Sequence, residues 1–161
     1  MSYNSKRTIA AMAAGILTVA AYIFYALSAH SPAPEDLQAW AVAMLIFIGI
    51  GVAVVVVVMI LFHIVFAVGV AVREREQDGK TVERIIASAV VEDERDKLVG
   101  LKSERIGYVL AGTGFIAALA ALAFGASALT ALHILFGASA TGSLAEGIVR
   151  VYFYEKGVRN G

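Results

Sequence analysis

The apolar run from Trp40 to Val72 constrains the fold more than any other part of the chain. Its sequence, WAVAMLIFIGIGVAVVVVVMILFHIVFAVGVAV, is longer than the roughly 20 residues that a helix needs to cross a bilayer. Backbone groups in lipid must be hydrogen-bonded within their own segment, so this run is predicted to be a helix that tilts or projects beyond the membrane. Hydrophobic residues make up 60% of the chain, against roughly 45–50% in soluble domains. A bilayer is therefore the expected solvent.

Three further apolar runs, at residues 8–28, 106–124 and 128–154, are also long enough to span. We predict an all-α fold over residues 1–161, a single integral membrane domain. It is a four-transmembrane-helix bundle with a cytoplasmic helical segment at 73–105 between the second and third helices. A cleaved signal peptide is the competing interpretation of the first run, but that run exceeds the usual apolar core of about 7–15 residues.

The distribution of basic residues predicts how the chain is threaded. All 13 Lys and Arg residues lie near the N terminus, in the 73–105 segment, or from Arg150 onward, and the loop SAHSPAPEDLQ contains none. The positive-inside rule therefore places both termini and residues 73–105 in the cytoplasm. Tyr22 and Trp40 are expected near the outer interface, where aromatic residues are enriched.

Small residues four apart in the third and fourth runs predict close helix packing. They suggest a tight hairpin between these two helices, while the bulky second helix faces lipid or a second protomer. Packing within one chain and a homo-oligomer both remain open. The small residues are Gly137, Thr141 and Ala145 with Ala138 and Gly142 beside them, and Gly107 with Ala111 and Gly114 with Ala118 in the third run.

The segment 73–105 contains two apolar stripes at helical spacing. In TVERIIASAV the first comprises Val82, Ile85, Ile86 and Ala89, and the second comprises Glu94, Leu98, Leu101 and Arg105, with Val91 before them. The stripes point in nearly opposite directions, so a break is predicted at residues 90–93, with Asp93 capping a helix that continues into the third span. The second stripe needs a covering surface, supplied either by the bundle itself or by another protein.

The acidic cluster in VEDERDKLVGLKSER raises the question of a metal site. Glu92, Asp93, Glu94 and Asp96 could coordinate a hard cation, but neighbouring positions on a helix splay around it. Pairing with Lys97, at three and four residues, accounts for part of the charge. A solvated helix face or a partner contact is favoured, and no metal ligand is assigned.

Few other residues offer chemistry. The chain has no cysteine, and no nucleophile, phosphate-loop or zinc pattern is present, so neither an enzyme nor a cofactor is predicted. His63 and His133 would differ in depth by about 27 Å, too far to share one haem. Glu146 is an acid within an apolar run and therefore a functional candidate, although Arg150 one turn later favours an ion pair. His63 is expected at the inner interface or a helix contact.

The block VEDERDKLVGLKSERIGY, with APEDLQAWAVAMLIFIGIG and the ending YFYEKGVRNG, resembles small bacterial four-span membrane proteins of unknown function. The resemblance covers most of the chain, carries no established site residues and implies the bacterial inner membrane. Because such proteins are often encoded beside small helix-turn-helix regulators, it also implies a membrane protein that holds or tunes a cytoplasmic regulator.

Two functions follow as expectations. The first is a non-enzymatic regulatory or interaction protein that binds a cytoplasmic partner through residues 73–105. The second is a small homo-oligomeric transporter or channel that uses Glu146. A net charge of zero gives no reason to expect direct contact with nucleic acid.

Overall fold

A computed structural model describes residues 3–73 and 94–157, and these residues form four helices. Helix α1 is Tyr3–Ala26, α2 is Leu37–Arg73, α3 is Glu94–Ala123 and α4 is Ala128–Lys156. Each covers one of the predicted apolar runs to within two residues of its end, and each is long and apolar enough to cross a membrane. The predicted all-α, multi-pass fold is confirmed.

Short polar residues fix the ends of the helices next to the two loops. The side chain of Asp36 accepts a hydrogen bond from the backbone N–H of Ala39 (2.9 Å) and so caps α2. Ser127 does the same for α4 through the N–H of Thr130 (3.1 Å). Gly125, with φ of +86°, supplies the left-handed turn between α3 and α4.

The helices form an open row in the order α3, α4, α1, α2, as their contacts show. Helix α4 packs along α3 on one side and along α1 on the other, and α2 rests mainly on α1. We call the side that carries residues 27–36 and 124–127 the loop end. The opposite side, where α1 and α3 begin and α4 finishes, is the terminus end.

The predicted hairpin of α3 and α4 is confirmed, with backbones in close contact. A Cβ atom on Gly114 would overlap the Cβ of Ala138, and one on Gly142 would lie 2.9 Å from the carbonyl oxygen of Gly107. The contacting row of α4 is therefore Ala138 and Gly142. Gly137 and Thr141, which belong to the row predicted first, are exposed, so the hairpin uses the neighbouring small row instead.

Helix α3 begins at Glu94 and continues without a break to Ala123, as predicted. Acidic residues occupy its first turn, where they favour the helix dipole. The predicted cap Asp93 and the stripe Val82–Ala89 lie outside the described residues. Helix α2 leaves most of its bulky side chains exposed, in agreement with a helix that faces lipid.

Candidate functional site

The first two turns of α3 are attached to the protein's own bundle along one face. Val99 and Ser103 are fully buried. The guanidinium of Arg95 donates to the carbonyl of Tyr154 (3.2 Å), and the carboxylate of Asp96 accepts from the side-chain amide of Asn4 (2.9 Å). Helices α1, α3 and α4 are thereby joined at the terminus end.

The predicted stripe lies on the opposite face of the same turns. At about 100° per residue, Glu94, Leu98, Leu101 and Arg105 point roughly 180° away from Ser103. Leu98 is 43% and Leu101 66% exposed, and Glu94 and Arg105 are exposed too. The four residues share one surface, which we call the α3 stripe, and no described residue buries it. The sequence left two possible coverings for this surface, the bundle itself or another protein. Among residues 3–73 and 94–157, the bundle does not cover it.

The acidic residues of the cluster do not converge on a common point. Glu94 pairs with Lys97 (2.9 Å), whereas Asp96 turns toward Asn4 on α1. Glu92 and Asp93 lie outside the described residues. Within the described ranges no three His, Asp or Glu side chains form a group that could hold a metal ion.

A second polar site lies between α3 and α4. Arg150 donates to Glu146 (2.8 Å) and to Glu104 (3.3 Å) through Nη2. Its Nε donates to the buried hydroxyl of Ser103 (3.2 Å). The predicted Glu146–Arg150 pair is present, but a second carboxylate shares the guanidinium. This ion triad, Glu104, Glu146 and Arg150, carries a formal charge of −1.

Two cavities adjoin this triad and share part of one wall. A groove of about 930 Å³ runs between α1, α2 and α4, and α2 contacts α4 at the loop end through Trp40 and His133. A smaller pocket of about 230 Å³ lies between α3 and α4 and includes Glu104 and Tyr108. Both cavities are lined by Ser139, Ser143 and Glu146.

Sequence reasoning singled out Glu146 and Arg150 but missed three of their neighbours, Glu104, Ser139 and Ser143. The signal for the serines was available: positions 139, 143, 146 and 150 follow the spacing of one helix face. Glu104 belonged to the charged block, and its distance from Glu146 in the sequence concealed the contact.

His63 and His133, the two histidines considered for a haem site, lie at opposite ends of the bundle, in agreement with the predicted difference in depth. His133 contacts Tyr22 and Trp40 at the loop end, and His63 packs against Tyr3 at the terminus end. In His63, Nδ1 lies 2.7 Å from the carbonyl of Met59. The ring contact with Tyr3 of α1 makes His63 a helix-contact residue, one of the two roles predicted for it.

The loop end is held by a buried aromatic cluster. Tyr22 and Trp40, expected at an interface, are 4% and 5% exposed. Nδ1 of His133 lies 3.0 Å from the carbonyl of Leu129, which can only accept, so Nδ1 carries the proton. Nε2 is then the acceptor for the Tyr22 hydroxyl at 3.0 Å.

Replacing Tyr22 by phenylalanine is expected to lower the free energy of unfolding by about 1 kcal/mol, because the hydroxyl donor to His133 is lost. Tyr25→Phe is the matched control: Tyr25 is less buried and packs on the same Phe47 ring. Unfolding in mixed dodecyl sulfate micelles, followed by circular dichroism, measures both variants. Equal effects in the two would contradict the role given to the hydrogen bond.

The chain matches no family model, no curated protein and no solved structure. The resemblance carried by the block before the third span stays a prediction.

Proposed function

We propose that this chain is a non-enzymatic membrane interaction protein that binds a cytoplasmic partner through the α3 stripe. The observation that supports this most is the exposure of Leu98 and Leu101 on a helix whose other face is attached to α1 and α4. The surface is thus rigidly presented and still uncovered among the described residues. Exposed apolar side chains ringed by polar ones are typical of protein interaction sites.

The position of the stripe favours a protein partner over lipid. Leu98 lies eight residues before Ile106, where the apolar run begins, which is about 12 Å along the helix. Its neighbours Glu94 and Arg105 carry opposite charges. A partner with an apolar centre, a basic residue near Glu94 and an acidic one near Arg105 would complement this surface.

The finer features of the proposal follow from the sequence. Basic residues favour an orientation with both termini and the α3 stripe in the cytoplasm. The family resemblance favours the bacterial inner membrane and a transcriptional regulator as the partner. That regulator would contact DNA itself, while this chain holds it or limits its availability at the membrane.

Substituting Leu98 by aspartate is expected to release the partner, because a carboxylate would lose its hydration inside the apolar centre of the contact. Chemical cross-linking in cells, capture of the tagged chain in mild detergent and quantitative mass spectrometry measure the effect. The expected result is a DNA-binding protein whose recovery falls at least tenfold with Leu98→Asp and with Leu101→Asp.

The control for this experiment is Tyr152→Asp. Tyr152 is exposed near the terminus end of α4, away from the α3 stripe, so this variant adds the same charge at a comparable depth. It should leave recovery unchanged. If all three variants retain the same captured proteins as the natural chain, the proposed partner surface is wrong.

A second candidate function, a small homo-oligomeric transporter or channel, has one specific observation in its favour. Glu146 lines both cavities and shares Arg150 with Glu104. The two candidates differ in which residue matters. Loss of a transport phenotype in Glu146→Gln, with no effect of Leu98→Asp, would favour the transporter.

A further inference from the structure

We infer that the groove and the adjoining α3–α4 pocket together bind an amphipathic organic cation, with a primary alkylammonium ion as the simplest example. The ammonium head occupies the small polar pocket beside Glu104 and Glu146, and the alkyl tail lies in the large groove. This site is separate from the α3 stripe, and its argument does not rest on the proposed partner.

The small pocket offers hydrogen-bond acceptors. The hydroxyl of Ser139 donates to the carbonyl of Leu135 (2.9 Å), and that of Ser143 donates to the carbonyl of Ser139 (3.1 Å). Because each serine hydrogen is already used within α4, only oxygen lone pairs remain for a ligand. A ligand with several N–H donors therefore fits this wall, whereas a second acceptor does not.

Charge in the pocket points to the same ligand class. Arg150 binds Oε1 of both Glu104 and Glu146. Within the described residues, Oε2 of either carboxylate accepts no hydrogen bond. One guanidinium thus faces two carboxylates, and the negative charge that remains attracts a further positive charge. An ammonium head would bring the site to neutrality.

The glycine at position 107 leaves room for the carboxylate of Glu146 in the pocket. A Cβ atom on Gly107 would lie 3.0 Å from Oε2 of Glu146, so any larger residue at this position would displace the carboxylate. Tyr108 also lines this pocket, and an aromatic ring near a cation can add a cation–π attraction.

The large groove suits an alkyl tail. Its volume of about 930 Å³ lies within the range of roughly 300–1,000 Å³ that holds drug-sized ligands. Its walls are mainly aliphatic and aromatic, and include Met12, Gly15, Met44, Phe47, Val55 and Phe136. Ser139, Ser143 and Glu146 border both cavities, which places the polar pocket directly beside the groove, as a ligand with a cationic head and an alkyl tail requires.

An anionic lipid fits the site less well, because its phosphate would face the carboxylates of Glu104 and Glu146 with Arg150 already engaged by both. A bare metal ion would use the small pocket and leave the groove without a role. The combination of a polar pocket with an apolar groove selects a ligand that has both parts.

The test is calorimetric titration of n-octylammonium into the full chain in phosphatidylcholine nanodiscs, with empty nanodiscs subtracted. Saturable binding is expected, at least tenfold tighter than that of 1-octanol or octanoate. Glu146→Gln and Glu104→Gln should each weaken it at least tenfold, since either change makes the ion triad neutral. Glu94→Gln is the control, because it removes the same charge from an exposed carboxylate outside both cavities.

Three results would overturn the assignment. Equal affinity for 1-octanol would mean that the groove acts without the head pocket, and complete displacement by an equal concentration of potassium would indicate an inorganic cation site. Unchanged affinity in both glutamine variants would remove the carboxylates from the site. If either glutamine variant loses its helical circular dichroism, Ser139→Leu is the deciding variant. The side chain of Ser139 is exposed on the shared wall. A leucine there should fill the space for the ligand and abolish octylammonium binding while the fold is retained.

Discussion

Replacing Gly114 by leucine is expected to lower the free energy of unfolding by about 3 kcal/mol, near the upper end of overpacking effects. Even the first added carbon would overlap the Cβ of Ala138, and it would lie 3.5 Å from the Cα of that residue. Because the obstacle is attached directly to the α4 backbone, a rotamer change cannot relieve it. The helices must separate, and the close contact between Gly107 and Gly142 is then lost as well.

Gly112 provides a matched control in the same helix. It lies two residues away, and a Cβ atom there would meet nothing within 4 Å. Gly112→Leu should leave stability unchanged or raise it, since glycine is a poorer helix former than leucine by up to about 1 kcal/mol. Reversible unfolding in mixed dodecyl sulfate micelles measures both variants. Similar losses in the two would mean that α3 and α4 do not pack through Gly114.

Hydropathy and spacing were sufficient to predict the four helices and the partnership of α3 with α4. They could not choose between the two small rows of α4, because Gly137 and Ala138 are adjacent and each begins a row four residues apart. The choice depends on the rotation of α4, which is set by its simultaneous contact with α1. Gly147 shows this second constraint: a Cβ atom there would lie 2.6 Å from the side chain of Met12.

The sequence also contains a signal for the buried face of α3 below the span. Val99, Ser103 and Gly107 follow one another every four residues and lead into the row of Gly114 and Ala118. This line predicts that the face of α3 that packs on α4 within the span continues below it. The more conspicuous stripe of Leu98 and Leu101 then has to point away from the bundle, as it does.

The groove and the contact of Glu104 with Arg150 were beyond prediction from the sequence. Their geometry depends on the distance between α2 and α4 and on the register between α3 and α4, neither of which leaves a local pattern in the sequence. The aromatic residues Tyr22 and Trp40 illustrate the same point. Amphipathic rings near a span end predict an interface position, but their buried contact with His133 on another helix leaves no sign in the sequence.

Replacing Arg150 by methionine is expected to destabilise the protein by about 3 kcal/mol. Methionine keeps most of the apolar stem but leaves two neighbouring carboxylates, Glu104 and Glu146, without their shared cation. Removing one partner of a buried ion pair typically costs about 3–5 kcal/mol. The lower limit applies here, because the side chain of Arg150 is 30% exposed and those of the acids are 45% and 28% exposed.

Most of this loss of stability should come from the two carboxylates left without a cation, and less from the missing contacts of the arginine itself. Adding Glu104→Gln and Glu146→Gln to Arg150→Met should therefore restore stability by about 2 kcal/mol, because neutral amides lie side by side without repulsion. Lys97→Met is the control, since its pair with Glu94 is 56% and 88% exposed and should contribute about 0.5 kcal/mol or less. The same micelle titration, applied as a mutant cycle, measures the coupling. If the triple variant is no more stable than Arg150→Met, the two carboxylates do not depend on Arg150 for compensation, and the triad is not the unit that joins α3 to α4 at this depth.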